Sequence, residues 1–337
     1  MALSERGAIK VGLTTGDLNG IGLELFIRTF SKPGMEKLCT PILFGSTKSV
    51  SYYKKVLGNH LNVMGISAAE HAIAGRINCV NVWQKPVNIE MGIASQTAGE
   101  YAFKSLQAAT RALSRGSIDV LVTAPIDKHS MQHHAFSCPG HTEYLQNELV
   151  GESLMFLVSE KLRLAVVTGH IPLSQVTGSI TREALRDKID IMSRSLIRDF
   201  VCDKPKIAVL GLNPHAGERG VLGDQEQEII APVIDDRFNR GMYVFGPYPA
   251  DGFFGSGMYR DFDGVLAMYH DQGLTPFKTL AFDEGVNFTA GLNRIRTAPD
   301  HGTAYSLVGK GTASTDSYEQ AIFTAMEIYK NRKAEVH

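Results

Sequence analysis

Three histidines follow three separate apolar runs, each within a few residues of the end of its run. His170 follows LAVVTG, His215 follows KIAVLGLNP and His270 follows GVLAMY. In open α/β sheets, ligands bind beyond the carboxyl ends of the strands, so side chains at those ends can reach a common rim. Three imidazoles there would bind a metal such as Zn, Co, Ni or Fe and leave open positions for a substrate. Each histidine alone is explained more simply as structural or exposed. Taken together, a shared metal site explains the three equally well.

Two aspartates accompany these histidines. Asp271 directly follows His270, and Asp251 lies upstream in YPADGFF. Either carboxylate could orient a metal-binding imidazole or accept a proton during catalysis. Both are also explained as ordinary loop aspartates, and the sequence leaves these roles open.

Two glycine-containing loops are candidates for binding a cofactor. The first, TTGDLNGIGLEL, follows an apolar run and contains Gly16, Gly20 and Gly22. The helix N-terminus that follows such a turn can bind an anion or the polar edge of a cofactor. The second, PDHGTAYSLVGKG, could offer backbone N–H groups to a phosphate or an adenosine moiety. The first loop lacks the GxGxxG spacing, and an ordinary tight turn explains either loop taken alone.

Lys278, Asn287 and Arg296 lie in one segment between these loops, KTLAFDEGVNFTAGLNRIRT. Two cations flanking an amide could bind a phosphate, with the arginine in a bidentate arrangement. A solvated surface explains the same residues equally well.

The elements that must position these residues are strands alternating with helices. Six short apolar runs are nearly continuous rather than alternating, which is typical of strands buried on both faces. These runs are Ile9–Thr14, Pro41–Phe44, Ile118–Thr123, Leu164–Thr168, Lys206–Leu210 and Gly264–Met268. Helical patterns cover Ser95 to about Arg115 and Thr181–Phe200, with Thr181 as the expected N-cap. The alternation predicts an α/β fold with a largely parallel sheet.

Length and composition narrow the class of protein further. The 337 residues predict two domains, and the net charge of -1, from 34 basic and 35 acidic residues, gives no electrostatic reason to expect nucleic acid or a membrane as partner. The four cysteines are widely spaced with no CxxC pair, which indicates a reducing compartment. No apolar stretch approaches the roughly 18 residues of a membrane helix, and the N-terminus does not resemble a signal peptide. We therefore expect a cytoplasmic enzyme.

Eight motifs in order carry a resemblance to a known family. They are TTGDLNGIGLE, TAPIDK, PGHTEYL, TGHIPL, LNPHAGE, YHDQGLTPFK, VNFTAGL and RTAPDHGTA. Together they resemble the 4-hydroxythreonine-4-phosphate dehydrogenases, which are similar in fold to the isocitrate and isopropylmalate dehydrogenases. The resemblance implies two α/β domains with a cleft between them. Residues 1–125 with 290–337 would form the cofactor-side domain, and 126–289 the central domain with the metal ligands and the dimer interface.

The resemblance also assigns roles to individual residues. It implies that one divalent ion (Zn, Mg or Co) is bound by His170, His215 and His270, and that NAD or NADP lies against the DHGTA loop at Gly302, Thr303 and Ala304. The residues that it implies for the phosphorylated substrate are His141, Thr142, Lys278, Asn287 and Arg296. Family members are homodimers with the active site at the subunit interface, so we expect metal ligands from both chains.

The activity that the resemblance implies is the NAD-dependent oxidation of 4-phosphohydroxy-L-threonine at its C3 hydroxyl. Loss of the C1 carboxylate would then give 3-amino-2-oxopropyl phosphate, in pyridoxal 5'-phosphate biosynthesis. Asp271 and Lys278 are the candidates for the base that takes the hydroxyl proton.

Other functions remain open. One is a related dehydrogenase acting on another phosphorylated hydroxy acid, such as 4-phospho-D-threonate or D-erythronate. A metal-dependent hydrolase or lyase would leave the DHGTA loop unexplained, and a binding module would bind metal without turnover.

The chain departs from the family pattern in the first loop. The family usually has GDPAGIGPE, and here Leu18, Asn19 and Leu23 replace the Pro, Ala and Pro. These positions shape the turn rather than carry chemistry, so the departures indicate a distinct branch of the family rather than another function.

Overall fold

The computed structural model describes residues 8–132, 138 and 140–335. The chain divides into two compact units. The first unit is Met1–Val150 with Asn293–Tyr329, and the second is Gly151–Leu292 with Lys330–His337.

The described residues form strands and helices that alternate along most of the chain. The strands are β1 (Lys10–Thr14), β2 (Thr40–Gly45), β3 (Val63–Ile66), β4 (Ile77–Asn81), β5 (Val120–Val122), β6 (Gly151–Val158), β7 (Arg163–Thr168), β8 (Lys206–Leu210), β9 (Tyr243–Tyr248), β10 (Gly264–Tyr269), β11 (Val286–Leu292) and β12 (Ile295–Pro299). The helices are α1 (Gly22–Phe30), α2 (Met35–Leu38), α3 (Thr47–Val56), α4 (Gln96–Arg115), α5 (Lys128–Gln132), α6 (His141–Glu148), α7 (Leu173–Ser179), α8 (Arg182–Phe200), α9 (Ala231–Asn239), α10 (Ala250–Gly255), α11 (His270–Ala281) and α12 (Asp316–Ala334).

The first unit has a parallel sheet in the order β3-β4-β2-β1-β5-β12. Its central strands are apolar because they are covered on both faces; every residue of β2 is buried. Helix α4 packs on β1, β2 and β5. Its start is fixed by Ser95, whose side chain accepts a hydrogen bond from the Ala98 N–H at 3.2 Å. Because these strands are parallel, their carboxyl ends and the loops that follow them lie at one edge of the sheet.

The second unit has strands in the order β11-β6-β7-β10-β8-β9. Strands β7, β10, β8 and β9 are parallel, while β6 runs antiparallel to both of its neighbours. Helix α11 packs on β10 and β7, with Phe277 buried in the core among Val265, Ala267 and Phe253. The strands β7, β8 and β10, which precede the three histidines, therefore share one parallel arrangement.

These elements confirm the α/β class and the largely parallel pairing predicted from the sequence. Each of the six apolar runs overlaps a strand, and both predicted helices are present. Thr181 caps α8 by accepting a hydrogen bond from the Ala184 N–H at 3.1 Å. No helix of the described part of the chain has the length and apolar character that a membrane crossing requires.

The division of the chain differs from the expected domains in three segments. Residues 290–292 and 330–337, expected in the cofactor-side domain, belong to the second unit. Residues 126–150, expected in the central domain, belong to the first unit. The physical reason is that α6 packs on α4, with the Tyr144 ring edge-on to Phe103 at 5.8 Å between centroids. Helix α6 begins with His141 and Thr142, so both belong to the first unit.

Candidate active site

His170 and His270 lie side by side at the ends of two paired strands. Strands β7 and β10 run parallel, with Thr168 opposite Tyr269. Each histidine comes one or two residues after that last pair, so both imidazoles emerge at the same edge. Their ring centroids are 5.5 Å apart, with the planes at 45°. The register of β7 and β10 therefore accounts for the pairing of these two histidines.

The imidazole of His270 is oriented by the neighbouring aspartate. Its Nδ1 lies 2.7 Å from Asp271 Oδ1. With Nδ1–H donating to the carboxylate, the lone pair of Nε2 is available to a metal ion. The Asp271 side chain is 83% exposed. Of the two aspartates considered, Asp271 therefore contacts a histidine ring, whereas Asp251 is an exposed residue of α10.

His215 lies on an unusual turn after β8. Five consecutive residues, His215 to Arg219, have positive φ angles of 52°, 50°, 80°, 45° and 55°. His215 itself is exposed. No three His, Cys, Asp or Glu side chains of the described residues are grouped so that they could hold a metal ion. Within one chain the structure therefore brings His170 and His270 together and leaves His215 apart.

The nitrogen donors fit the kind of metal site that was predicted. Two imidazoles lie together, one of them fixed by a carboxylate, which is a common arrangement around bound zinc and similar ions. Two of the three histidines expected as metal ligands therefore lie together within one chain.

A buried guanidinium forms the centre of a second candidate site, in the first unit. Arg296 lies in β12, opposite Leu121 of β5, and is only 3% exposed. Its Nε and Nη2 donate hydrogen bonds to Thr123 Oγ1 at 2.9 and 2.6 Å. Burial lowers the pKa of Arg296 to about 9, against the opposing effect of the Glu143 carboxylate. The group is therefore still positively charged at neutral pH.

His141 lies beside this guanidinium, at the first position of α6. Burial, and after it the positive charges of Arg296 and Lys128, hold the pKa of His141 well below its usual range. The imidazole is thus neutral at pH 7. Its Nε2 is buried and has no hydrogen-bond partner among the described residues, and the half-buried Thr142 follows it in the helix.

Two members of this cluster were missed by the sequence analysis. Lys128 and Glu143 act electrostatically on His141 and Arg296 respectively. Each lies inside a motif that the resemblance used, Lys128 in TAPIDK and Glu143 in PGHTEYL. Their positions within these motifs could have marked Lys128 and Glu143 as candidates. The motifs do not indicate which charged groups each residue approaches.

The remaining predicted substrate residues lie in the second unit. Lys278 is on α11 and Asn287 is in β11, opposite Leu157. Both are half-buried.

The two glycine loops of the first unit are joined to each other. The Ile21 N–H donates to the Thr303 carbonyl at 3.1 Å. A Cβ added at Gly20 would lie 3.1 Å from that same carbonyl oxygen, so glycine allows the close approach. The Tyr305 hydroxyl donates to Asp17 Oδ2 at 3.0 Å, across the same joint. Gly302, Thr303 and Ala304 therefore lie beside the first loop, as one candidate cofactor surface would require.

Where the two glycine loops meet, burial affects both the Asp17 carboxyl and the glycines of the first loop. Asp17 is 1% exposed, and desolvation raises the pKa of its carboxyl against the hydrogen bonds that lower it. Gly16 and Gly22 are packed against residues 124–125 and Thr15, where an added Cβ would overlap backbone oxygens. These two glycines have a packing role in the structure, and Gly20 is the one that faces the second loop.

A third segment, at residues 90–95, was not foreseen from the sequence. Asn19 donates from Nδ2 to the Ile93 carbonyl at 2.7 Å and accepts at Oδ1 from the Glu90 N–H at 2.9 Å. Asn19 is one of the positions that depart from the family pattern. Its contacts agree with the expectation that these positions shape the turn.

Fold and sites together define an α/β protein of two units, with polar clusters beyond the ends of parallel strands. The class is that of small-molecule enzymes in which strand-end loops carry the functional groups.

The chain belongs to the family described as pyridoxal phosphate biosynthetic protein PdxA, whose model matches residues 37–325. This membership confirms the resemblance found from the eight motifs.

Relatives cover nearly the whole chain. A 4-hydroxythreonine-4-phosphate dehydrogenase of Bacteroides thetaiotaomicron is 47% identical over 98% of this chain and 92% of its own length. A D-threonate 4-phosphate dehydrogenase of Cupriavidus necator is 36% identical over 96% of this chain and 98% of its own. Among solved structures, the 4-hydroxythreonine-4-phosphate dehydrogenase of Klebsiella pneumoniae matches with a TM-score of 0.83 and 31% identity, covering 97% of this chain and 99% of that one.

Proposed function

We propose that the protein is a metal-dependent, NAD-linked dehydrogenase of 4-phosphohydroxy-L-threonine. It oxidises the C3 hydroxyl and releases the C1 carboxylate as carbon dioxide, giving 3-amino-2-oxopropyl phosphate for pyridoxal phosphate biosynthesis. The observation that carries the proposal is the buried guanidinium of Arg296 beside the neutral imidazole of His141.

This cluster has the properties of a phosphate site. The cluster contains two cations, Arg296 and Lys128, and one carboxylate, Glu143, and a guanidinium provides directed donors that match phosphate oxygens. His141 and Thr142 open helix α6, whose first N–H groups also favour an anion. Neutral His141 can donate one hydrogen bond without adding a further charge.

The groups proposed for the reacting end of the substrate are three histidines, an aspartate, a lysine and an asparagine. His170 and His270, with His215, are the proposed metal ligands, and Asp271 orients His270. When bound, a divalent ion supplies Lewis acidity at the hydroxyl and at the ketone formed from it. Lys278 and Asn287 are proposed to bind the substrate. The proton of the hydroxyl is taken by Asp271 or Lys278, the two candidates for the base.

The joined glycine loops are proposed to bind NAD or NADP. The backbone at Gly20 and the Gly302–Ala304 turn present polar groups close together, and Asp17 with Tyr305 keeps the turn in place. A bound NAD or NADP would supply the hydride acceptor, and the two loops would position it.

The test is an NADH-formation assay with 4-phosphohydroxy-L-threonine, with and without a chelator. Turnover that is lost on chelation and restored by added Zn²⁺, Mg²⁺ or Co²⁺ is expected. Full turnover by chelator-treated His215→Ala protein would refute the three-histidine metal site. Absence of saturable NAD binding would indicate instead a hydrolase or lyase that uses the same histidines.

A second candidate substrate is 4-phospho-D-threonate, as one relative is named for that activity. It keeps the phosphate and a neighbouring hydroxyl but has a hydroxyl in place of the amino group. Because the phosphate cluster fits both compounds, the same assay with each acid decides between them. NADH formation with 4-phospho-D-threonate and none with 4-phosphohydroxy-L-threonine would identify the protein as a dehydrogenase of 4-phospho-D-threonate instead.

We also propose that the protein acts as a homodimer in which metal ligands come from both chains. In support, His170 and His270 supply two ligands within one chain, while His215 lies apart on an exposed turn. Exposed apolar side chains flank the histidines, including Leu173 at 73% and Val221 at 78% exposure.

A further inference from the structure

The strand ladder ends before the chain reaches His215 and His270. Strands β8 and β10 are paired from Ile207 opposite Gly264 to Val209 opposite Leu266. The four residues from Ala267 to His270 lie beyond the last of these pairs. Other contacts must therefore fix these two strand ends relative to each other.

Gln272 makes such a contact with both ends of its side-chain amide. Its Oε1 accepts a hydrogen bond from the Met268 N–H at 2.7 Å, and its Nε2 donates to the Gly211 carbonyl at 2.7 Å. The two partners are a donor and an acceptor, so only one orientation of the amide satisfies both. The side chain thus joins the end of β10 to the residue that follows β8.

Thr168 extends the connection to the third strand. Its Oγ1 donates to the Met268 carbonyl at 2.8 Å, and the residue is only 7% exposed. Both backbone groups of Met268 are therefore held by side chains, one from β7 and one from α11. Thr168 lies two residues before His170, so all three histidine-bearing strand ends are linked through Met268.

Glu226 continues the network beyond Gly211 to the turn of His215. Its Oε1 accepts from the N–H groups of Leu212 and Asn213, both at 2.7 Å, and its Oε2 accepts from Asn213 Nδ2 at 2.9 Å. The residue is 3% exposed. A buried carboxylate with three donors holds the two residues after Gly211 firmly.

We propose that Gln272 is a positioning residue for the proposed metal sites. It holds together the end of β10, which carries His270, and the backbone after β8, which carries His215, and Thr168 ties the end of β7, which carries His170, to the same Met268. His215 and His270 of one chain belong to the two sites of the proposed dimer, so the contact supports both sites. Both hydrogen bonds of the Gln272 amide go to backbone groups, so its proposed effect on the metal sites acts through these backbones. The inference rests on the proposed metal site for its function, whereas the network itself is independent of any ligand.

The first measurement is the affinity for Co²⁺ of chelator-treated protein, followed by the visible absorption of the bound ion. Gln272→Met keeps the length of the side chain but removes both hydrogen bonds. Gln272→Glu keeps the acceptor and places a second oxygen against the Gly211 carbonyl. Both variants are expected to bind Co²⁺ about tenfold or more weakly, the usual size of effect for groups that support metal ligands.

A matched control separates positioning from general stability. Asn331→Leu also removes an amide donor from a backbone carbonyl of the second unit, that of Asp199 at 2.8 Å. It should leave the Co²⁺ affinity unchanged even if it lowers the unfolding temperature. Thr168→Val is expected to weaken Co²⁺ binding, whereas Thr297→Val, which removes a bond of 2.7 Å to the Ala321 carbonyl, is not.

The second measurement needs no metal. Backbone amide exchange at residues 211–217 of the metal-free protein should become about tenfold faster in Gln272→Met, a change of about 1.4 kcal/mol in the free energy of local opening, because the two hydrogen bonds of the amide are lost. Unchanged Co²⁺ affinity in both Gln272 variants would overturn the inference. If wild-type protein binds no Co²⁺ but exchange accelerates, the positioning role stands and the metal proposal fails; unchanged exchange would then refute the positioning role as well.

Discussion

At the scale of single residues, the proposed phosphate site combines two cations, Arg296 and Lys128, with the carboxylate of Glu143. Arg296 keeps its charge although burial lowers its pKa to about 9. Burial and the two neighbouring cations lower the pKa of His141 and keep its imidazole neutral. The cluster thus carries a positive potential that a phosphate can neutralise.

The neutral state of His141 predicts a pH dependence of stability. The unfolded chain takes up a proton on this residue as pH falls below about 6.5, and the native state does not, because its pKa is lowered. Stability is therefore lost as pH falls below 6.5. Relative to His141→Gln, the wild-type free energy of unfolding should fall by up to about 1.4 kcal/mol per pH unit in that range.

Denaturant unfolding of both proteins across mildly acidic pH measures this difference. Parallel pH curves for wild type and His141→Gln would mean that native His141 accepts a proton as readily as the unfolded chain, against the buried arrangement.

At the scale of elements, the turn of His215 depends on a glycine. Gly217 has φ of +80°, and an added Cβ would lie 2.6 Å from Glu226 Oε2 and 2.9 Å from the Gly223 carbonyl oxygen. Gly241 has a similar φ of +88°, with nothing within 4 Å of an added Cβ. Alanine at Gly241 therefore introduces only the strain of the left-handed backbone, whereas alanine at Gly217 adds a steric overlap.

Gly217→Ala should therefore destabilise the protein more than Gly241→Ala. The control costs about 1–2 kcal/mol for the left-handed backbone alone. Gly217→Ala adds about 1–3 kcal/mol for the overlap with the Glu226 carboxylate and should also weaken metal binding. Denaturant unfolding and Co²⁺ titration of the two variants provide the comparison. Equal losses of stability would show that the turn has room for a methyl group.

The joint between the two glycine loops leads to a prediction about the cofactor. Tyr305→Phe removes the hydroxyl that donates to buried Asp17, a hydrogen bond to a charged group worth about 1.5–3 kcal/mol. The second loop should then be less firmly held against the first. KM for NAD should rise about tenfold with kcat nearly unchanged, as steady-state kinetics would show.

Tyr329→Phe is the matched control. Its hydroxyl also donates to an aspartate of the first unit, Asp119 Oδ1 at 2.8 Å. Asp119 precedes β5, whereas the glycine loops follow the strand ends, so this contact lies away from them. Equal effects of the two variants on KM for NAD would argue against a specific role of the Tyr305 contact.

At the scale of the whole molecule, the sequence predicted the elements better than their grouping. Apolar runs and caps defined the strands, α4 and α8, because burial on both faces and N-capping act locally. The membership of residues 126–150 depended on the packing of α6 against α4, which no local pattern reports. Likewise, the strand-end rule placed His170 and His270 together but could not foresee the left-handed turn that separates His215.

The positions of the three histidines bear on which chain of the proposed dimer supplies each metal ligand. Two imidazoles are paired by the register of β7 and β10, and the third ligand is proposed to come from a second chain. If so, His215 of one protomer serves the His170–His270 pair of its partner. Dimers that carry different single substitutions should then contain one intact site.

Complementation between inactive variants tests this arrangement. Co-expressed His215→Ala and His270→Ala should form mixed dimers in which one site keeps all three ligands and the other has lost two. With random pairing, half of the dimers are mixed and half of their sites intact, so about a quarter of wild-type turnover should return. His170→Ala with His270→Ala should regain nothing, because both substitutions remove ligands from the same in-chain pair. Rescue by that second combination would show that the two imidazoles serve different sites, despite lying 5.5 Å apart in one chain.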